Sequence, residues 1–375
     1  PSTSLAEGYE KYAKKFRIEN NTGKNLFASV QAEDELAAIG MAIGANWNGA
    51  RGFTATSGPG ISLMSEFLGL AYFAEIPLVL FNVQRGGPST GMPTRTQQSD
   101  VLACAYASHG DTKHVVLFPS DPKECFDFSA QAFDLADQLQ TPIFVVSDLD
   151  MGMNDWVCDK FKWDDEYKYN RGKVLNKDDL DEIENFGRYL DVDNDGICYR
   201  TYPGTHPEKG AFFTRGTSHD EYARYTEDGE VNAATLSRLM KKFRTASELV
   251  PEPVIEINGE DSCGVIFYGS TSPAVHEAKD ILKEKEINID LMQIRSFPFN
   301  LDVWEFIANH DRIYVVEQNR DSQMRTLIMA EGGISPEILR PLVHFTGDPI
   351  QASYIVNKIS EREVNYKSHI NAKKR

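Results

Sequence analysis

A chain of 375 residues is long enough for two or three domains with separate cores. Its 56 acidic residues against 39 basic ones leave a net charge of −17, which argues against a general nucleic-acid binder and against a protein that lies on an anionic membrane. No stretch approaches the ~20 consecutive apolar residues of a spanning helix, and the five cysteines (Cys104, Cys125, Cys158, Cys198 and Cys263) form no CxxC pair, which argues against a zinc site or an iron–sulfur cluster held by this chain alone and for a reducing, cytoplasmic setting.

Residues 1–16 are predicted helical, with Ser2, Thr3 or Ser4 as the cap, and residues 18–25 (IENNTGKN) form a turn. A buried strand is predicted at 26–31 (LFASVQ). A regular alternation follows: an Ala/Gly-rich helix at 34–46, a strand at 52–57, a GPG turn, a helix at 61–75 that Pro77 ends, and a continuous apolar strand at 78–84. A long polar loop (85–100) leads to an apolar helix near 101–107, a strand at 114–119, a helix at 121–139 and a strand at 142–148. Apolar strands separated by helices imply a parallel α/β sheet buried on both faces, with ligands bound beyond the carboxyl ends of the strands. Glu35, the GPG turn and the Arg85 loop all lie at that edge.

The alternation lapses over residues 151–250, which are charged and carry scattered Trp and Tyr; they are read as an excursion and connector. Within them, Leu236, Leu239, Met240 and Phe243 mark one face of an amphipathic helix at 232–249. The alternation returns from about Val254, with strands at 264–270, 287–294 and 312–319 and helices at 272–285, 303–310 and 322–332, predicting a second, smaller α/β domain. The chain thus divides into a first domain at 1–150, the connector at 151–250 and a second domain at 251–375, ending in a basic tail expected to be mobile.

Asp191, Asp193, Asp195 and Gly196 spell the first half of a calcium loop, but the twelfth position is Tyr202 rather than Glu, which excludes an EF-hand and leaves a partial cation site or a hydrogen-bonded turn. His109 and His219 stand in motif-like contexts, SHGD and SHDE. GSTSP (269–273) follows a strand but lacks G-x-G-x-x-G, so it is a weak phosphate signal. Glu35 on composition alone is an acidic residue in a first helical turn, a position the helix dipole favours and one that Glu33 and Asp34 share.

Several segments taken together change that reading. QAEDELAAI, TATSGPG, NVQRGGPSTGMPT, SHGD, YRTYPGT, FTRGTSHDEY and VVEQNRDSQMR resemble the alpha subunit of 2-oxoacid:ferredoxin oxidoreductases, the 2-oxoglutarate type most closely, and the resemblance runs from Pro1 along essentially the whole chain. It implies a thiamine-diphosphate-binding fold, here the pyrimidine-type parallel-sheet domain, followed by a smaller transketolase C-terminal-like α/β domain. It implies that Glu35 lies beside the aminopyrimidine ring of the cofactor, that Thr56, Ser57 and Gly58 line the same cofactor, and that Arg85 holds the substrate's 1-carboxylate, for which a guanidinium fork is suited. Thr90 and Thr94 then face the substrate side chain, and Arg95 is our added candidate for a distal carboxylate. Asp191, Asp193 and Asp195 stay as the candidate metal residues.

The resemblance further implies oxidative decarboxylation of a 2-oxoacid to acyl-CoA with reduction of ferredoxin, in a dimer of heterodimers. The G-D-G…N signature for diphosphate and magnesium is absent, as are clustered cysteines, so magnesium and an iron–sulfur cluster are expected on a beta subunit. A substrate-contacting proline-rich turn is expected immediately upstream of Pro1, and many relatives carry a gamma-type domain further upstream. The alternatives are a branched-chain or other 2-oxoacid oxidoreductase subunit, another thiamine enzyme such as a transketolase-like one, and a non-catalytic scaffold that keeps the fold.

Overall fold

A computed structural model describes residues 2–210, 215–259 and 263–373. The motif FTRG begins at Phe213 and Thr214, outside the described residues.

Strand β1 (Phe53–Thr56), β2 (Leu78–Gln84), β3 (Val115–Leu117) and β4 (Pro142–Asp148) run parallel in the order β1-β2-β4-β3. Every residue of β2 is buried, as expected of a strand covered by helices on both faces. Helices Glu35–Trp47 and Gly58–Phe73 pack on each other and on the sheet, and helix Pro122–Leu139 packs on β2 and β4. The second sheet is built from β5 (Val254–Glu256), β6 (Cys263–Tyr268), β7 (Ile289–Ile294), β9 (Ile313–Glu317) and β10 (Leu339–Val343), in the order β10-β9-β6-β7-β5, with only β5 antiparallel.

The remaining strand, β8 (Ser296–Phe297), joins the two halves. The chain leaves β7 in the second sheet, crosses over, and pairs antiparallel with the edge of β3 in the first. Phe118 N donates to Arg295 O at 2.8 Å, and Arg295 Nε donates to Glu124 at 2.7 Å. One apolar core accordingly runs from Ile39 and Met64 through Phe118 to Tyr268, Phe297 and Met324.

Three sequence expectations are corrected, and one short strand lies outside them. Residues 26–31 form no strand: Leu26 N donates to Arg17 O at 2.8 Å, β1 pairs only with β2, and Leu26 and Val30 are exposed. The GPG segment is not a turn before the helix but its first turn, since the helix begins at Gly58 with Pro59 where a missing N–H costs nothing. The two-residue β8 is too short to carry an alternating pattern. The basic tail as far as Lys373 belongs to helix Ala352–Lys373, whose apolar residues Ile355, Val356 and Ile359 anchor that helix to the second core.

The connector is tied down by charge. Glu75 follows the helix that starts at Gly58 and is fully buried; it receives Arg238 at 2.5 and 3.0 Å and Lys242 at 2.8 Å, both from helix Gly229–Ala246. Burial would raise its pKa, but Arg238 and then Lys242 hold the carboxyl far below the ordinary range. Two cations on one carboxylate leave no bare buried charge on the acidic side of the cluster.

Candidate active site

The site begins with two helix starts brought together. Asp34 caps helix Glu35–Trp47 by accepting from Ala37 N at 2.8 Å. That places Glu35 as the first helical residue, half-buried; among the described residues its carboxylate makes no hydrogen bond or ion pair. The neighbouring helix start explains the tight packing. A Cβ built on Gly60 would lie 1.9 Å from Thr56 Oγ1 and 3.1 Å from Glu35 Cγ. Gly60 thus lets Glu35 and Thr56 share one crowded corner. Gly60→Ala is expected to push Thr56 and Glu35 apart and to lower stability by about 1–3 kcal/mol, as overpacking does; a thermal melt checks it, and an unchanged melting temperature would show that the corner is loose.

The same edge continues to Arg85. Asp100 sits against the GPG helix start: a Cβ on Gly58 would lie 2.8 Å from Asp100 Oδ1. Its other carboxylate oxygen accepts from Asn82 Nδ2 at 3.1 Å, and its backbone N–H donates to Gln84 Oε1 at 2.8 Å. Both partners lie on β2, just before Arg85. Burial raises the pKa of Asp100, opposed by the Asn82 hydrogen bond and by the charge of Arg85. Arg85 itself has a buried Nε with no partner, and its guanidinium makes no hydrogen bond or ion pair among the described residues. A cation held at the carboxyl end of a buried strand with its donors free is ready for an anionic ligand.

The loop after Arg85 closes on itself. Gly86 N donates to Arg95 O at 2.9 Å, Met92 N donates to Gly86 O at 2.7 Å, and Gly87 N donates to Gln97 Oε1 at 3.1 Å. Thr90 and Thr94 are exposed on this loop. Arg95 is exposed too, with Nη1 donating to Asp348 Oδ1 of the second domain at 2.7 Å. Thr56 and Ser57 are buried at the end of β1 and the helix start.

Asp191, Asp193 and Asp195 are not brought together as metal ligands. Asp191 accepts from the backbone of Asp195 and Gly196 at 3.1 and 2.9 Å, while Lys173 takes Asp193 at 2.7 Å and Asp195 at 2.9 Å. Among the described residues no group of three or more His, Cys, Asp or Glu could hold a metal ion. The loop is a lysine-clamped turn. His219 is buried, its ring 3.9 Å from that of Tyr189 and 5.1 Å from that of Phe73, at the opposite end of that helix from the GPG segment. His109 is exposed beside Ser108. Ser270 and Thr271 of the GSTSP segment spend their hydroxyls internally, on Asp148 at 2.6 Å and Gln98 at 3.2 Å.

Sequence reasoning missed Asp100, Asn82, Gln97 and Asp348. Asp100 precedes an apolar helix and so reads as an ordinary cap; its side chain caps nothing and turns to Asn82 instead. Asn82 carried a signal, as an amide inside an otherwise apolar buried strand.

Comparison with known proteins shows the family. Residues 1–158 match the family described as "Pyruvate flavodoxin/ferredoxin oxidoreductase, thiamine diP-bdg". A "2-oxoglutarate synthase subunit KorA" from Methanocaldococcus jannaschii is 33% identical over 286 residues, covering 73% of this chain and 71% of that protein. The chain belongs to the 2-oxoacid:ferredoxin oxidoreductase alpha-subunit family. A further family member, "2-oxoacid:ferredoxin oxidoreductase 2, subunit alpha" of Aeropyrum pernix, is 34% identical over 90% of this chain and 52% of its own length. The chain therefore spans about half the length of the long alpha subunits it matches, 52% of that one. Among solved structures, the "2-oxoglutarate:ferredoxin oxidoreductase from Magnetococcus marinus with 2-oxoglutarate, coenzyme A and succinyl-CoA bound" superposes with a TM-score of 0.84 at 28% identity, over 96% of this chain and 60% of that one. The family's α/β architecture, with a thiamine-diphosphate-binding sheet domain followed by a second sheet domain, is what the two sheets here form.

Proposed function

We propose that this chain works as the alpha part of a thiamine diphosphate enzyme that oxidatively decarboxylates 2-oxoglutarate to succinyl-CoA and reduces ferredoxin, together with a beta subunit. The observation that carries this is Arg85: a cation with a buried, unpartnered Nε, on the same sheet edge as the free carboxylate of Glu35. A 2-oxoacid enzyme needs both, one group for the substrate's carboxylate and one for proton exchange at the cofactor.

The residues present fit the cofactor by their chemistry. Glu35, Thr56, Ser57 and Gly58 would hold its aminopyrimidine end, where Glu35 holds and returns a proton at a ring nitrogen. When bound, thiamine diphosphate would supply the nucleophilic carbon and the electron sink for decarboxylation. Arg85 binds and orients the 1-carboxylate, so that its donors gain a partner only when substrate is present. Thr90, Thr94 and Arg95, on the loop that follows Arg85, would face the substrate side chain. Exposed apolar side chains lie on the helices that start at Glu35 and Gly58 (Leu36, Met41 and Leu63) and just before the first of them (Val30); a beta subunit covering them would help close the site and exclude water. That subunit would bring the magnesium-held diphosphate and the iron–sulfur cluster, with the assembly a dimer of heterodimers in the cytoplasm. No helix of the described residues is long and apolar enough to cross a membrane.

The test is the co-expressed heteromer, assayed for reduction of ferredoxin or a viologen dye with coenzyme A and a panel of 2-oxoacids. Succinyl-CoA formed from 2-oxoglutarate is the expected result. A heteromer that carries thiamine diphosphate and iron yet reduces no dye with any 2-oxoacid overturns the reading.

A further inference from the structure

The second domain reaches the edge of the candidate substrate loop. Its segment Thr346–Gly347–Asp348 is seated directly on Met92 and Arg95. Gly347 has φ +86, and a Cβ there would lie 2.6 Å from Met92 Cε and 3.0 Å from Arg95 Cβ. Thr96 N donates to Gly347 O at 3.2 Å, so the contact is a backbone junction and not merely a touching of side chains. The segment is braced from behind: His344 lies 3.0 Å from both Thr346 Oγ1 and Asp348 O. Onto this fixed platform the Asp348 carboxylate projects and takes Arg95 Nη1 at 2.7 Å.

The backbone of Arg95 is tied to the residue that follows Arg85: the Arg95 carbonyl accepts from Gly86 N at 2.9 Å. In the reading above, Arg85 takes the 1-carboxylate of a dicarboxylate and Arg95 its distal one, but only Arg85 is free. Arg85 has no anionic hydrogen-bond partner among the described residues, whereas Arg95 already has Asp348. A carboxylate fixed by the fold and a carboxylate on a substrate side chain compete for the same guanidinium.

We propose that Asp348 is a specificity-determining residue that restrains the preference for dicarboxylic 2-oxoacids by occupying Arg95. This rests on the functional reading above, in which the loop carrying Arg95 faces the substrate side chain. Because both side chains of the pair are more than half exposed (58% and 63%), the effect is screened by solvent and modest.

The experiment compares the wild-type heteromer with Asp348→Asn and Arg95→Gln, using kcat/KM for 2-oxoglutarate and for 2-oxopentanoate, which has the same carbon count but no distal charge. Asp348→Asn is expected to raise the value for 2-oxoglutarate about two- to fivefold, the range an exposed ion pair allows, and to leave 2-oxopentanoate unchanged. Added salt should shrink the difference. Arg95→Gln should lower 2-oxoglutarate alone. Turnover of 2-oxoglutarate with an unchanged or lowered preference in Asp348→Asn overturns this proposal while leaving the functional reading intact. A heteromer that turns over no 2-oxoacid overturns the functional reading, and this inference with it.

Discussion

Glu35→Gln in the assembled heteromer is expected to cut turnover with 2-oxoglutarate by about 10²–10⁴-fold, the span that a positioned acid–base group contributes, with the melting temperature nearly unchanged. The two halves of this expectation have separate causes. Glutamine has the same length and branching as glutamate, so the packing of Cγ against Gly60 is kept. The carboxylate makes no hydrogen bond or ion pair among the described residues, so no internal partner is left bare when its charge goes. The cap of the helix is also untouched, because Asp34 and not Glu35 accepts from Ala37 N. The amide, however, cannot hold and return a proton at the cofactor ring. Dye reduction under single-substrate saturation measures the loss, and a thermal melt reports the fold. Near-normal turnover would remove Glu35 from its role; a large fall in melting temperature would mean that the carboxylate is structural.

The pattern of residues made this edge legible because the relevant groups are local. An acidic cap, a following Glu and an Ala/Gly-rich helix are contiguous, and β2 is a run of seven buried residues that ends one position before Arg85. The strands of both sheets could be read in the same way, since β6, β7 and β9 are fully buried and mostly apolar, with Asp290, Gln293 and Glu317 the charged or amide exceptions. What escaped was whatever depends on a partner distant in the chain. Residues 26–31 have strand-like composition, yet a strand exists only by pairing, and β1 does not offer them its free edge. β8 is two residues whose identity as a strand comes from β3, 179 and more positions earlier. Asp100 mimics a cap, and its true partner, Asn82, lies across a loop. The Arg95–Asp348 pair joins residues 253 positions apart, which no local pattern records. The aspartates at 191, 193 and 195 erred in the other direction: the spacing suits a cation, but Lys173 and Lys241 come from other segments and supply the positive charge.

Arg85→Met should weaken kcat/KM about a hundredfold or more for every 2-oxoacid, since two charge-assisted hydrogen bonds to a carboxylate are worth roughly 1.5–3 kcal/mol each. The 1-carboxylate is common to all such substrates, so the loss should not discriminate among them, unlike the loss expected at Arg95. Arg85→Lys should recover part of the affinity through its charge and little of the orientation, because an ammonium has no fork. The substitution to Met has a second consequence that a purely catalytic role does not explain. Asp100 is held by burial above its unfolded value of 3.8, and Arg85 is one of the influences pulling it back down. Removing that charge raises the folded value further. A carboxyl with a raised folded pKa binds more protons in the folded state than in the unfolded one, so stability falls as pH rises from the unfolded value through the folded value. Arg85→Met should therefore lose more stability between acid and neutral pH than the wild-type protein does, and Arg85→Met combined with Asp100→Asn should abolish the extra loss. Thermal melts across that pH range measure it. A melting curve for Arg85→Met parallel to wild type at every pH would mean that Arg85 and Asp100 do not sense each other, and the contiguous edge from Glu35 through the GPG helix start to Arg85 would lose its electrostatic link.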